Sequence, residues 1–334
     1  MAKVTMADIA HMAGGTKSTV SRYFNGGYVK EETREKIRRV AEAHGYEPNA
    51  FARLKARESN VIGVVVPSLN SKISSRVITS IDRYLRSEGY ETLIKNSDHD
   101  IQLELKNIQR LMSLNVDGIL LSSISIVEEH RELLENSAVP VVVLAQEYGG
   151  GISVVDDDYE AGFAMGRYVG AAGPKHPAYL GVYEKDAAVG VIRKKGVLDG
   201  LKSCGLENVR VLTGDYSYES GQEMTDRLLR EGPADAIICA TDRLAFGAYR
   251  ILASRGLSIP DDVSVAAFGG YGESSLLSPE LTTIKFDSYA VGYLGAETLL
   301  KTIRGEPVPK KQVVGFRLIE GGSVKRPREE KSVR

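Results

Sequence analysis

Short continuous apolar runs alternate with longer amphipathic stretches along most of this chain. The run Val61-Ile62-Gly63-Val64-Val65-Val66, closed by Pro67, contains no polar position and reads as a strand buried on both faces. Comparable runs predict strands over residues 91–95, 116–121, 140–144 and 153–155. Between them, apolar residues three and four apart predict helices over 74–87, 101–113 and 127–135. The alternation then starts again. Strands are expected over 178–182, 209–212, 236–240, 263–268 and 281–286, with helices over 159–170, 189–203, 217–230 and 243–255. A helix over 288–303 and a strand over 312–318 complete the series. Buried strands spaced by crossover helices make parallel sheets covered on both faces, so the pattern predicts two doubly wound α/β lobes. Ligands of such sheets bind beyond the carboxyl ends of the strands, here in a cleft between lobes.

The first 46 residues follow a different rule. Thr5 and Asp8 fit a capping box, and Met6, Ile9, Ala10 and Ala13 recur at helical spacing. Gly14-Gly15 supplies a tight turn into a second helix, capped by Thr16 and ended by Asn25-Gly26-Gly27. Val20 and Phe24 share its apolar face, leaving Lys17, Ser18, Ser21 and Arg22 on the other. Two cations and two hydroxyls suit phosphate oxygens and base edges, although a solvated helix face has the same composition. A third helix over 31–44 turns Ile37, Val40 and Ala41 inward, and Gly45 ends it. Three short helices with a cationic second one read as an all-α helix-turn-helix domain.

Charge supports this division. The chain as a whole is nearly neutral at −1, but residues 1–58 hold 11 Lys/Arg against 7 Asp/Glu and the remainder 32 against 37. A basic head on an acidic body points to nucleic acid at one end. The expected organisation is a helix-turn-helix domain over 1–46, a hinge or linker over 47–59, and a two-lobed domain over 60–320. Lobe 1 is placed at about 60–157 and 287–317, lobe 2 at about 158–286, and a disordered polar tail at 321–334. Cys204 and Cys239 show no metal or redox spacing and read as reduced core residues. No signal peptide or membrane span is evident, which predicts a cytoplasmic protein.

The motifs Val4-Thr5-Met6-Ala7-Asp8-Ile9-Ala10, Lys17-Ser18-Thr19-Val20-Ser21-Arg22, Gly45-Tyr46-Glu47-Pro48-Asn49, Ala240-Thr241-Asp242-Arg243-Leu244, Ile259-Pro260-Asp261-Asp262 and Leu281-Thr282-Thr283-Ile284 carry a resemblance. The chain resembles the LacI/GalR family of bacterial transcription regulators over nearly all of residues 3–320. Leu180-Gly181-Val182 followed by Ala188-Val189-Gly190-Val191-Ile192-Arg193 is similar to the sucrose and trehalose operon repressors within it. The resemblance implies a periplasmic-binding-protein-like effector domain and a homodimer on a near-palindromic operator. Lys17, Ser18, Ser21 and Arg22 would read a half-site, while Thr5, Thr16, Asn25 and Tyr46 would hold phosphates. Asn49, Ala52, Arg53 and Leu54 would enter the central minor groove, with the leucine wedged between base pairs. Two departures stand out. Leu54 lies one residue nearer the preceding proline than the wedge leucine of the family. Lys30 occupies the place of a capping Ser or Thr, and an ammonium cannot accept a hydrogen bond there.

Fold and resemblance together nominate the effector site. Asp242 follows a strand end and can accept hydrogen bonds from sugar hydroxyls. Arg193 can donate in a fork, and its position in the family is a recurring sugar contact. Ser71, Ser74 and Arg76 begin a helix after the first strand, where Arg76 favours an anionic ligand such as a sugar phosphate. Gln146 follows a strand, and Tyr216, Phe268 and Phe286 sit where they can stack on a sugar or simply fill core. Asp156-Asp157-Asp158 is read as helix-capping acid with no metal. Gly14 to Ser18 lacks the spacing of a phosphate loop. No cofactor is expected, and no nucleophile–base or carboxylate pair suggests an enzyme. The expectation is a repressor of a sugar-utilisation operon, associated with the nucleoid when bound, and released by a sugar or sugar phosphate. A transport-type sugar-binding protein and a corepressor-dependent regulator are the alternatives.

Overall fold

The computed structural model describes residues 4–24, 27–46 and 59–326. The chain forms two compact units: Met1–Asn60 with Leu114–Val116, and Val61–Ser113 with Asp117–Arg334. The hinge positions Asn49, Ala52, Arg53 and Leu54, and also Asn25, lie outside the described residues.

The first unit is built from α1 (Met6–Met12), α2 (Lys17–Phe24) and α3 (Glu31–Ala43). Thr5 closes a full capping box: its hydroxyl accepts from the Asp8 amide at 3.3 Å, and its own amide donates to Asp8 Oδ2 at 2.8 Å. Ile9, Val20 and Ile37, one from each helix, are fully buried at the centre. Gly14, at φ +66°, takes the left-handed turn between α1 and α2. α3 begins at Lys30 without a side-chain cap, as a lysine there dictates.

The second unit holds two six-stranded sheets. In sheet one the order is β11-β5-β4-β3-β1-β2, all parallel, with β1 at Val61–Val66, β2 Glu91–Asn96, β3 Gly118–Ser122, β4 Val141–Leu144, β5 Ile152–Asp156 and β11 Lys311–Val314. In sheet two it is β12-β10-β9-β8-β6-β7, with β6 Pro177–Val182, β7 Arg210–Gly214, β8 Ala236–Cys239, β9 Ser264–Phe268, β10 Thr282–Phe286 and β12 Phe316–Ile319. Here β12 alone runs antiparallel, beside β10. Every residue of β1, β6, β8 and β9 is buried, the cost-free outcome for apolar strands covered by helices on both faces. The covering helices are α4 (Lys72–Ser87), α5 (Ile101–Ser113), α6 (Glu128–Glu135) and α11 (Ser288–Ile303) around sheet one. Around sheet two they are α7 (Asp158–Gly170), α8 (Lys194–Lys202), α9 (Tyr218–Glu231) and α10 (Asp242–Ser254).

Four local expectations need correction. The strand foreseen over 312–318 is two strands, because the chain changes sheets at Gly315. Apolar alternation continues across that glycine and hides the crossing. The stretch from residue 321 is not wholly a loose tail: Ser323 and Val324 are buried, and Ser323 Oγ donates to Val265 O at 2.6 Å and accepts from the Thr282 amide at 2.7 Å. β12 delivers this segment onto β9 and β10. The helix foreseen over 189–203 opens with a wider π-helical stretch, Ala187–Arg193. Cys239 is buried as expected, but Cys204 is exposed.

α7 and α8 touch through backbone. A Cβ on Gly162 would lie 2.3 Å from Arg193 O, one on Gly166 2.3 Å from Val197 O, and one on Gly196 2.2 Å from Tyr159 O. The glycines thus set the separation between the helix that starts with Asp158 and the turn that carries Arg193. Gly166→Ala is expected to destabilise the second unit by about 1–3 kcal/mol through forced separation, measured by thermal unfolding. Gly149→Ala, with open space around its Cβ, serves as the near-neutral control. Lys30→Asp supplies the missing cap and should stabilise α3 by about 1 kcal/mol, read as slower hydrogen exchange at its first-turn amides.

Candidate functional site

α2 presents the candidate DNA face. Val20 points inward with no exposed surface, while Lys17, Ser18 and Arg22 are exposed and Ser21 is half-buried. Thr16 Oγ1 accepts from the Thr19 amide at 3.2 Å and hydrogen-bonds Ser18 Oγ at 2.8 Å. Gly27 donates to Arg22 O at 2.8 Å, closing the helix, and a Cβ there would strike the Arg22 stem at 2.5 Å. Tyr46 packs edge-on against Phe24 at 5.6 Å, and burial raises its pKa. The cations of the first unit are unequally placed. On α3, Lys36 pairs with Glu32 at 2.8 Å, and Arg38 bridges Glu35 at 2.6 Å and Glu42 at 3.0 Å. Lys17 and Arg22 on α2 have no carboxylate partner among the described residues.

The second unit encloses a cavity of about 550 Å³. Its walls come from the carboxyl ends of strands in both sheets. Pro67–Ser74 follows β1, Ser122–Ile124 ends β3, Ala145 and Gln146 follow β4, and Asp156 ends β5. Asp186, Tyr216, Thr241, Phe268 and Phe286 come from the equivalent ends in sheet two. Two wall residues, His99 at φ +59° and Ala145 at φ +64°, hold left-handed backbone that side chains other than glycine seldom adopt.

At the floor, Arg193 Nε and Nη2 grip Asp158 at 2.8 and 2.5 Å, and Nη1 donates to Ala240 O at 3.0 Å. Phe268 and Phe286 lie 5.1 and 4.9 Å from the guanidinium. Burial works against its charge, yet Asp158, with Tyr179 and Asp156, holds its pKa above the ordinary value. Asp186 accepts from Gln146 Nε2 at 3.0 Å, from the Val189 amide at 3.0 Å and from the Tyr216 hydroxyl. Burial and then Asp186 raise the Tyr216 pKa. Asp156 is pushed up to about 7 by burial first and by Asp158 next. Behind the wall, Glu104 accepts from Ser123 at 2.5 Å and Ser97 at 3.1 Å and contacts His130 Nε2 at 3.0 Å. This buried network fixes the Ser122–Ile124 segment.

Several polar contacts join the two lobes around the cavity. Besides Gln146 to Asp186, the Ala187 amide donates to Ile124 O at 3.3 Å and Lys72 pairs with Glu273 at 2.7 Å. His99 stacks on Tyr216 at 5.8 Å.

The nominated residues divide accordingly. Ser71, Ser74, Gln146, Arg193, Tyr216, Phe268 and Phe286 line the cavity. Asp242 and Arg76 do not. Asp242 is fully buried, and its carboxylate accepts from Thr283 Oγ1 at 2.5 Å, Ser274 Oγ at 2.8 Å and the Tyr271 amide at 2.8 Å. It staples the loop after β9 and is closed off from the cavity. Arg76 reaches across to Gly269 O and Gly270 O at 3.5 and 3.3 Å, which turns its guanidinium towards the loop after β9. Of the acidic triplet, Asp157 makes no side-chain cap on α7 and Asp158 serves as the counter-ion of Arg193. Asp186 was missed, although an Asp immediately before the apolar Ala187-Ala188-Val189 is an N-cap signal that marks a strand-to-helix corner. Nothing local in the sequence marks His99 or Ser123.

The pattern of a helix-turn-helix unit and a two-sheet unit is matched by known proteins. Residues 5–49 match the bacterial regulatory proteins of the lacI family, and residues 59–319 match the periplasmic binding proteins and sugar binding domain of the LacI family. The chain is 30% identical to the sucrose operon repressor of Staphylococcus xylosus over 310 residues, covering 92% of this chain and 97% of that one. It is 32% identical to the HTH-type transcriptional regulator GntR of Escherichia coli (strain K12) over 326 residues, covering 96% and 98%. The lac repressor dimer bound to operator and the anti-inducer ONPF superposes with a TM-score of 0.86 at 25% identity, covering 97% of this chain and all of that one. Matched in both units over nearly its whole length, the chain belongs to the LacI family of bacterial regulatory proteins.

Proposed function

We propose that this chain is a transcriptional repressor of a sugar-utilisation operon, releasing its operator when a carbohydrate occupies the cleft of the second unit. The observation that carries the reading is the contrast between α2 and α3. The α3 cations are neutralised by acids one turn away, whereas Lys17 and Arg22, on the exposed face of the helix that follows the glycine turn, have no carboxylate partner among the described residues. Cations beside hydroxyls on such a helix are the equipment of major-groove reading. Lys17, Ser18, Ser21 and Arg22 take the base edges in this reading, with Thr5, Thr16 and Tyr46 at the phosphates. Asn25 and the hinge residues Asn49, Ala52, Arg53 and Leu54 keep the roles that the family resemblance gives them. The protein acts as a homodimer on a near-palindrome, in the cytoplasm and on the nucleoid when bound, and carries out no chemistry of its own.

The cleft supports the second half of the reading. It is closed by polar contacts between two lobes, so a ligand that makes its own bonds to Gln146, Asp186 and Arg193 changes which lobe arrangement is favoured. Driving the repressor from mostly bound to mostly free requires a preference of about 5 kcal/mol for the released arrangement.

Operator affinity, measured on a duplex selected from a random pool with and without a sugar panel, tests this. A fall with one sugar is expected, a rise would make that sugar a corepressor, and no change with any sugar would overturn the reading. Arg22→Ala is expected to weaken specific binding by about 1–3 kcal/mol while sparing random DNA. Equal losses on both duplexes would make Arg22 a phosphate contact.

A further inference from the structure

The charges around the cavity are unevenly matched. Arg193 is committed to Asp158 and to Ala240 O, and its faces are covered by Phe268 and Phe286. Asp186 is held only by neutral donors, the Gln146 amide, the Tyr216 hydroxyl and the Val189 amide, so its charge stays uncompensated. Asp156 also lines the cavity, and its Oδ1 is enclosed without a hydrogen-bond partner among the described residues. The cations near the floor are engaged with protein groups, and those left to an anion stand at the rim. Lys72 is tied to Glu273, and Arg76 is turned onto the carbonyls of Gly269 and Gly270. Arg243 lies at the exposed rim.

An anion placed on this floor meets the Asp186 carboxylate, joined by Asp156 wherever that group is ionised, in surroundings that screen charge poorly. A half-buried carboxyl without donors is costly, and a ligand that brings a donor to its accessible oxygen relieves part of that cost. A sugar hydroxyl is such a donor, whereas an ionised phosphate or carboxylate only accepts.

We infer that the cleft selects a carbohydrate without an anionic group, and that a hydroxyl of this ligand donates to Asp156. The inference rests on the carbohydrate reading above and narrows it. It also reverses the expectation of a sugar phosphate drawn from Arg76. The volume of about 550 Å³ accommodates a mono- or disaccharide. Asp156 sits where the chain crosses between lobes, with Asp158, Arg193 and Asp287 as the charged groups around it. Its carboxyl titrates near 7 instead of its ordinary 3.8, so the empty protein should lose stability as pH rises through that range.

The test uses the full-length protein in thermal-shift and calorimetric titrations with matched sets. Glucose, sucrose and trehalose supply the uncharged members, glucosamine the cationic one, and glucose 6-phosphate and gluconate the anionic ones. An uncharged or amino sugar should bind at least about tenfold more tightly than the phosphate or acid of the same sugar. An anionic member that binds more tightly than its uncharged parent overturns the inference while leaving the carbohydrate reading intact. If no carbohydrate of any charge binds, the carbohydrate reading itself falls. Asp156→Asn should raise the melting temperature of the empty protein, more at pH 8 than at pH 5, while weakening the sugar at least several-fold. Unchanged sugar affinity in that variant would remove Asp156 from the site.

Discussion

The ion pair between Asp158 and Arg193 is the constraint on which the second unit is arranged. Each charge is almost wholly removed from water, so neither partner is tolerable without the other. Their meeting requires α7 and the turn before α8 to approach at backbone distance, and glycines 162, 166, 196 and 200 permit that approach. The π-helical turn gives Arg193 a different heading from one at the same place in a regular helix. Phe268 and Phe286, from the ends of neighbouring strands, then close over the guanidinium. A salt bridge in this setting is weak evidence of stability, but it fixes the floor of the cleft in one geometry.

Around that floor, the lobes are held by contacts that are individually modest. Asp186 receives bonds from both sides of the cleft, and the Ser122–Ile124 wall is braced by the buried Glu104–His130 network. Such neutral and partly exposed hydrogen bonds each contribute about 1 kcal/mol, so a ligand with several hydroxyls can replace them at little net cost. The arrangement suits a receptor that must change shape, because its rigid part is the floor and its exchangeable part is the rim.

The first unit applies the same economy to surface charge. Acids one turn away hold the cations of α3, and exposed pairs of this kind add little to stability. Their effect is to leave the positive field of the domain concentrated on α2. The capping box at Thr5 and the closure of Gly27 on Arg22 fix the two ends of the helix-turn-helix that presents that field.

The periodicity of the sequence determined the three helices of the head, the two sheets apart from the antiparallel edge strand β12, and nearly every helix around them, because burial imposes its period on local sequence. It also determined which cations of α2 face outward and that Lys30 would leave α3 uncapped. Tertiary structure decided which polar groups line the cavity. Asp242 and Arg76 looked free in sequence, but Thr283, Ser274 and the carbonyls of Gly269 and Gly270 claim them from distant segments. Asp156 and Asp158 looked like ordinary capping acids, and only the crossing of the chain between sheets placed one against Arg193 and left the other facing the cavity. Residue type limits what a polar side chain can bond, while its partner is chosen by the approach of segments far apart along the chain, which local pattern does not encode.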